Sequence, residues 1–575
     1  MAAGSQTAAG SQTVVILGAG INGCALAREL ALNGLSIVLV DTADIASGTT
    51  SYSSRLIHGG LRYLEYGDFA LVRESLAERG RLLRLAPQFV RPLELFVPIR
   101  TRWSGVWQSA LRFFGRDTPP ASHGRGLLLV DLGLMLYDAY ARDPSLPKHR
   151  IHRVAPGPGK PGGGPPVNPQ EYRWLASYYD AQVTYPERLT LALLTDACQA
   201  AAAHGQSVRV FTYHQARLHQ RRVSIAPLGS DRPAIDPLEP AAIVNATGAW
   251  VDETLRRLEI PSQRLMGGTK GSHFVTTHPA LAEALGGRAI YAEARDGRPV
   301  FILPWAGQTL VGTTDEAYTG DPGQAVATPA ELTYLLEAVR HVFPQFPLST
   351  ADIALSYAGV RPLAAKDSAA QIDSAPKATA PAAITREHFF KRHDHAPLPT
   401  YSIVGGKLTT CRSLAEEAAA RLLADLGRPN VANSRDRTIP GGESWPPTAA
   451  DADRARHDIV QRTGLSPAAV QTAWQLCGTQ AAMILSTPET PAYLRGTEFP
   501  LALARWSIRN QWAVRLADLV ERRLMLLYQQ PLHRATLEHL AELLVVEGRL
   551  APDRVGEEVS ITVERLKVHF GKRVS

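Results

Sequence analysis

Val14-Val15-Ile16-Leu17-Gly18-Ala19-Gly20-Ile21-Asn22-Gly23 decides the fold of this chain. A short β-branched run (14–17) ends in a glycine-rich turn. A helical stretch follows from Asn22 to Asn33, and a second apolar run spans Ser36 to Val40 with Asp41 at its end. The order predicts strand, helix and strand. The three glycines differ in what they permit. Gly18 allows the tight turn, Gly20 lets backbone amides approach a pyrophosphate at the helix N-terminus, and Gly23 permits close packing of helix on sheet. Asp41 can accept hydrogen bonds from ribose hydroxyls.

Two later segments repeat the pattern of a buried strand ending in small residues. Ala241–Asn245 runs into Ala246-Thr247-Gly248, and Tyr401–Val404 runs into Gly405-Gly406. Three such strand ends can meet at one ligand. Nicotinamide and flavin dinucleotides both use this unit. FAD is favoured because the motif starts the chain, the body is far larger than a simple dehydrogenase, and the extra strand ends offer contacts to an elongated cofactor. At 575 residues the chain is too long for one core, so two or three packed units are expected. Ser272–Thr276 and Phe301–Gly312 alternate as antiparallel strands do, which suits a substrate domain inserted into the cofactor domain. From about Pro440 the pattern turns helical, and Leu516, Leu519, Val520, Leu524 and Leu527 predict a helix that reaches Gln530 before Pro531 stops it. Ala155–Pro169 and Ala375–Ala383 read as loops without chemistry.

Composition is that of a folded, enzyme-sized body, 45% hydrophobic and 20% charged. The net charge of +7 suits anionic partners. No run of basic residues and no interleaved basic and aromatic module appears, so nucleic acid is not expected as a partner. Cys24, Cys198, Cys411 and Cys477 are scattered with no CxxC pair, which argues against zinc and iron–sulfur sites, and no metal is expected. A reducing compartment is expected. Residues 1–12 repeat small, uncharged AAGSQT units without the features of a secretory signal and read as a disordered tail. No window approaches the ~18 uninterrupted apolar residues of a spanning helix, the nearest being Gly126–Tyr137 with Asp131 and Gly133 inside it. Any membrane contact is expected to be peripheral.

At 47–65, SGTTSYSSRLIHGGLRYLE, the sequence resembles the FAD-dependent glycerol-3-phosphate dehydrogenases. The resemblance continues, in family order, through Val244–Trp250 (VNATGAW), Lys270–His273 (KGSH), Gly312–Asp315 (GTTD), Gly359–Leu363 (GVRPL), Ile384–Arg386 (ITR) and Gly405–Thr410 (GGKLTT). It implies an α/β FAD-binding Rossmann-like domain of the glutathione-reductase/D-amino-acid-oxidase type, an antiparallel α+β substrate domain and a C-terminal helical domain. The expected boundaries are 13–90, 172–265 and 351–425 for the discontinuous FAD-binding domain, 91–171 and 266–350 for the substrate domain, and 440–575 for the helical domain.

The resemblance implies hydride transfer from C2 of sn-glycerol 3-phosphate to flavin N5, giving dihydroxyacetone phosphate, with electrons passed to a membrane quinone. Carried over by motif, Arg62, Tyr63 and Lys407 meet the substrate phosphate, with Arg386 completing a basic wall. Arg361, His273 and Thr314 face the reacting carbinol and the flavin. The cofactor set is Gly18, Gly20, Asn22, Gly23, Asp41, Thr49, Thr50, Ser53, Ser54, His58, Gly60, Ala246, Gly248, Gly406, Lys407, Leu408 and Thr409. The chemistry agrees: a dianionic phosphate needs several charge-assisted donors, and cations beside the flavin stabilise the alkoxide that develops as hydride leaves. His273 is the ordinary candidate for the base. His58 also fits a core histidine bonded to backbone, and Arg386 also fits a surface charge.

Two departures stand out. Cys411 precedes Arg412 where the family usually has Tyr, and Leu503 and Gln511 stand where family members tend to have Glu. Trp103, Val106, Trp107, Ala110, Leu111 and Phe114 fall on one helical face among Arg102, Arg112 and Arg116, a pattern suited to a bilayer interface. The expected setting is cytoplasmic, peripherally attached to the inner face of the cell membrane. The expected partners are the phosphorylated substrate, quinone, an anionic membrane surface and a second copy of the chain in a homodimer. Three other readings compete: an oxidase of the same scaffold using dioxygen, an amino-acid or hydroxy-acid oxidoreductase, and a non-catalytic flavin-binding regulator.

Overall fold

The computed structural model describes residues 12–66, 68–102, 126–141, 143, 145–154, 163–365, 388–487 and 490–575, and of residues 62, 65 and 66 it describes the backbone alone. The 103–116 face, Arg386, the loop at 375–383 and most of the N-terminal tail lie outside the described residues.

The chain opens with β1 (Thr13–Leu17), α1 (Ile21–Leu32) and β2 (Ser36–Asp41). β1 pairs in parallel with β2 on one side and with Ala242–Asn245 on the other. The full six-stranded sheet runs Phe389–Arg392, Thr400–Val404, Ala242–Asn245, β1, β2, Val208–Thr212, with only the first of these antiparallel to its neighbour. Alternation along β1 explains why both faces are apolar. Val14 and Ile16 pack with α1 and the helices Pro186–Ala203 and Cys411–Asp425, whereas Val15 and Leu17 pack with the helix Val251–Arg257 and the hairpin 214–227. A parallel sheet covered on both sides demands such continuous apolar strands.

A second, ten-stranded sheet is mainly antiparallel and carries the stretches read as alternating. Met266–Thr276 pairs with Gln308–Gly312 on one edge and, along its length, with Ile353–Ala364 on the other. This differs from the expected boundaries. Ile353–Ala364, Trp174–Val183 and Leu56–Ile57, assigned to cofactor-binding segments, lie in the second sheet because their backbone partners are there. Both sheets therefore share chain segments, and the strand ends of the first face the surface of the second.

From Ala449 onward the chain is helical up to Phe570 apart from its connections. The leucines 516, 519, 524 and 527 and Val520 are all buried, as their spacing implied. They do not form one helix. A short α-turn, Leu516–Asp518, widens into a π-turn over Leu519–Arg523, Met525 takes a left-handed φ of 55°, and Leu526–Tyr528 tightens again. The cause is Arg522 and Arg523. Neighbours on a regular α-helix point about 100° apart, yet both of these side chains reach the same carboxylate, Asp44.

Candidate active site

The strand ends, the turn after β1 and one face of the second sheet enclose a cleft of about 810 Å³. That volume lies in the upper part of the roughly 300–1,000 Å³ range of small-molecule and cofactor sites. At the nucleotide end, Gly18 has a φ of 104°, and a Cβ there would lie 2.6 Å from the Ala246 carbonyl oxygen. A Cβ on Gly23 would lie 2.0 Å from the carbonyl oxygen of Gly18, so helix and turn touch backbone to backbone. Asp41 accepts from the amides of Ala19 (2.7 Å) and Ala43 (2.8 Å), which ties the end of β2 to the turn. Burial pushes its carboxyl up, against those two amides. The Thr50 hydroxyl accepts from the Ile21 amide at the start of α1 (3.1 Å).

At the other end the register of Met266–Thr276 against Ile353–Ala364 builds the wall. Thr269 lies opposite Arg361, Gly271 opposite Gly359, and His273 opposite Tyr357. With a period of two, all six share one face. Glycines leave the space that larger neighbours fill: a Cβ on Gly271 would sit 2.3 Å from the Arg361 guanidinium, and one on Gly312, opposite His273 on the other neighbouring strand, would sit 2.1 Å from the His273 ring. Arg361 donates to Thr269 Oγ1, Asp315 Oδ1, Thr313 Oγ1 and the Thr314 carbonyl, at 2.9–3.2 Å. His273 stacks on Tyr357 (4.9 Å between centroids), and its Nε2 is 2.8 Å from Ser54 Oγ. Burial, then the cations Arg361 and Arg55, push the imidazole down to about 3, so it is neutral at physiological pH. The Lys407 ammonium lies 4.1 Å from the centre of the Tyr63 ring.

Apart from Gly23, Gly60 and Thr314, every expected residue whose side chain is described lines this cleft. Gly60 packs against the Tyr63 ring. The expectation that Thr314 faces the reacting carbon is corrected: its hydroxyl donates to Glu331 and accepts from the Ser272 amide, on the far side of the strand. For His58 the backbone amide donates to Thr409 Oγ1, while the residue lines the cleft. The side chain of Arg62 and all of Arg386 lie outside the described residues. Sequence reasoning missed Arg55, which is fully buried at the cleft and held by Glu187, the Thr184 carbonyl and the Tyr528 hydroxyl. Its motif was visible, but its partners stand 132 and 473 positions away.

A bound flavin dinucleotide fits these residues. The turn has no side chain to block a pyrophosphate, Asp41 stands at the strand end, and two polar atoms on the cleft, Asn22 Oδ1 and His273 Nδ1, are buried with no hydrogen-bond partner within the protein. Buried polar atoms are rarely left unmatched, and a ligand supplies what the chain does not.

Comparison with known proteins agrees with this geometry. Residues 13–412 match the family model described as FAD dependent oxidoreductase. The glycerol-3-phosphate dehydrogenase of Synechocystis is 35% identical over 75% of this chain and 74% of its own length. The D-erythritol 1-phosphate dehydrogenase of Brucella abortus is 30% identical over 88% of this chain and 93% of its own. Among solved structures, glycerol-3-phosphate dehydrogenase from Bacillus halodurans complexed with FAD superposes with a TM-score of 0.68 at 20% identity, covering 98% of this chain and 95% of that one. The chain belongs to the FAD-dependent glycerol-3-phosphate dehydrogenases, within the wider family of FAD dependent oxidoreductases.

Proposed function

We propose that the protein oxidises sn-glycerol 3-phosphate to dihydroxyacetone phosphate with FAD and passes the electrons to a membrane quinone. The observation that carries the reading is the meeting, in one cleft, of a nucleotide turn with a wall of Arg361, His273 and Lys407. The turn from Gly18 to Gly23, Asp41 and the Gly405-Gly406 strand end hold the cofactor. The flavin, when bound, supplies the hydride acceptor.

The chain's own residues do the rest. Lys407 and Tyr63, with Arg62, take the phosphate. Arg361, aimed by four acceptors, stabilises negative charge developing on the carbinol oxygen. In the tautomer whose Nε2–H donates to Ser54 Oγ, the neutral His273 offers Nδ1 to the departing hydroxyl proton. A dianionic substrate in the cleft opposes the two arginines that hold this imidazole down, so binding itself raises its basicity.

Electron delivery to a quinone calls for contact with a membrane. No helix among the described residues is long and apolar enough to cross one. The helix Leu127–Ala141 instead exposes Leu128, Leu132, Met135 and Leu136 on one face, a surface suited to lying in a bilayer interface. The docking idea fails if the purified protein ignores anionic liposomes at low salt.

The function is tested by an absorbance spectrum repeated anaerobically after adding sn-glycerol 3-phosphate. The flavin band is expected to bleach. A parallel panel holds D-erythritol 1-phosphate, an amino acid and a 2-hydroxy acid. A flavin that stays oxidised with both phosphates overturns the reading, and peroxide formed in step with turnover in air replaces the quinone by dioxygen.

A further inference from the structure

The alternation of Met266–Thr276 sends Thr269, Gly271 and His273 to the cleft and Lys270 and Ser272 to the opposite face. On that opposite face stands Glu331, three residues into the helix Pro329–Val342 and only 7% exposed. One of its oxygens accepts the Thr314 hydroxyl (2.9 Å). The other accepts the Lys270 ammonium (2.8 Å) and both the amide and hydroxyl of Thr328 (2.9 Å each). Burial alone would raise this carboxyl, but the Lys270 and Thr328 bonds outweigh it and hold it below its usual value.

Two of the residues Glu331 grips, Lys270 and Thr314, lie next to or among the acceptors that aim Arg361. Lys270 follows Thr269, which accepts from Nη1. Thr314 presents its own carbonyl to Nη2 and lies between Thr313 and Asp315, the remaining acceptors. Asp315 is half exposed and cannot fix the fork by itself. The Thr314 hydroxyl also accepts from the Ser272 amide, so its proton is committed to Glu331.

We propose that Glu331 is a positioning residue: by clamping Lys270 and Thr314 from behind the sheet, it fixes the two segments whose oxygens orient the Arg361 guanidinium toward the cleft. The inference rests on the function proposed above insofar as Arg361 serves the reaction. The clamp matters because a displacement of about 1 Å in a group that meets the reacting atoms costs roughly 10²-fold in rate.

The test is a cycle of Glu331→Gln, Arg361→Ala and the double variant in the flavin-loaded protein. Two quantities are read: the kcat and KM for sn-glycerol 3-phosphate, and the midpoint potential of the flavin by dye titration, which needs no substrate. In the parent background Glu331→Gln is expected to lower kcat about tenfold or more, with KM little changed, and to make the potential more negative as the cation loses its aim. In the Arg361→Ala background it is expected to change neither. Equal effects in both backgrounds, or no effect in either, overturn the proposal. If Glu331→Gln yields no folded holoprotein, Thr314→Val cuts the clamp on one side and enters the same cycle. A parent flavin that no polyol phosphate reduces sinks the proposed function, while the potential cycle still decides the role of Glu331.

Discussion

Two places in the molecule set arginine against carboxylate, and they do so to opposite ends. Beneath the loop after β2, Arg522, Arg523 and Arg565 of the C-terminal region meet Asp44, Asp518 and Glu521 in an interior where all but Arg565 are nearly inaccessible. Asp44 alone receives three N–H groups at 2.6–2.7 Å. Three positive and three negative groups cancel. On the cleft wall, Arg361 keeps more than a quarter of its side chain exposed, and its hydrogen bonds include three to neutral oxygens and one to a half-exposed carboxylate, so its charge is met less completely than those of the buried cluster. A neutralised cluster locks two parts of the chain together, whereas a charge met mainly by neutral groups is held ready for chemistry.

The largest expected effect breaks the first half of that contrast. Asp44→Asn leaves buried guanidinium groups without their shared anion, and breaking such a pair costs about 3–5 kcal/mol. Chemical denaturation should show the loss, and limited proteolysis should free the C-terminal helices. Burial pushes the Asp44 carboxyl up, but the two arginines outweigh it and hold it below its usual value. Because its folded value is depressed, the stability it gives is present above the unfolded value near 4 and is lost as pH falls below it. A variant as stable as the parent would mean that the cluster is a passenger.

Arg361→Ala should do the reverse. Its neutral acceptors can turn to water, so stability and flavin content are expected to hold. Turnover is expected to fall by about 10²–10³, the usual effect of removing one donor that meets developing charge. Steady-state kinetics on flavin-normalised protein reads this directly. Loss of fold with turnover per flavin unchanged would place Arg361 with the structural cluster instead.

The same contrast explains what was legible in the sequence. The nucleotide turn is local: strand, glycines, helix and Asp41 follow one another directly along the chain, so its pattern is legible in one short stretch. The cleft-lining motifs were readable for the same reason. Glu331 and Arg55 were not singled out, since one acts through a strand far earlier in the chain and the other closes on Glu187 and Tyr528. The stretch from Leu516 to Tyr528 carries a correct apolar period and still fails to be one helix, because its arginines answer to Asp44, some 478 positions away. Thr314 misled in another way. It lies just past the strand Gln308–Gly312, where its hydroxyl is taken by Glu331 and the Ser272 amide, and a motif does not report which way a residue beyond a strand end turns.

The smallest effect sharpens the cleft side and concerns His273. Its imidazole is held down to about 3 by burial and by Arg361 and Arg55, against about 6.5 in an unfolded chain. Between those values the folded state binds fewer protons, so this residue makes stability rise with pH through that window and weakens the protein as pH falls from about 6.5. It follows that kcat/KM, which reports the free enzyme, shows no His273 inflection between about pH 5 and 8. Arg361→Ala removes the larger of the two cationic influences, so the acid limb of its profile should move upward. Ser54→Ala removes a single neutral hydrogen bond at 2.8 Å, worth about 1 kcal/mol, and should lower kcat/KM only several-fold without restoring an inflection near 6.5. An ordinary imidazole inflection in the parent enzyme would show that the cleft wall does not keep this ring dry or hold its basicity down, while leaving it as the proton acceptor.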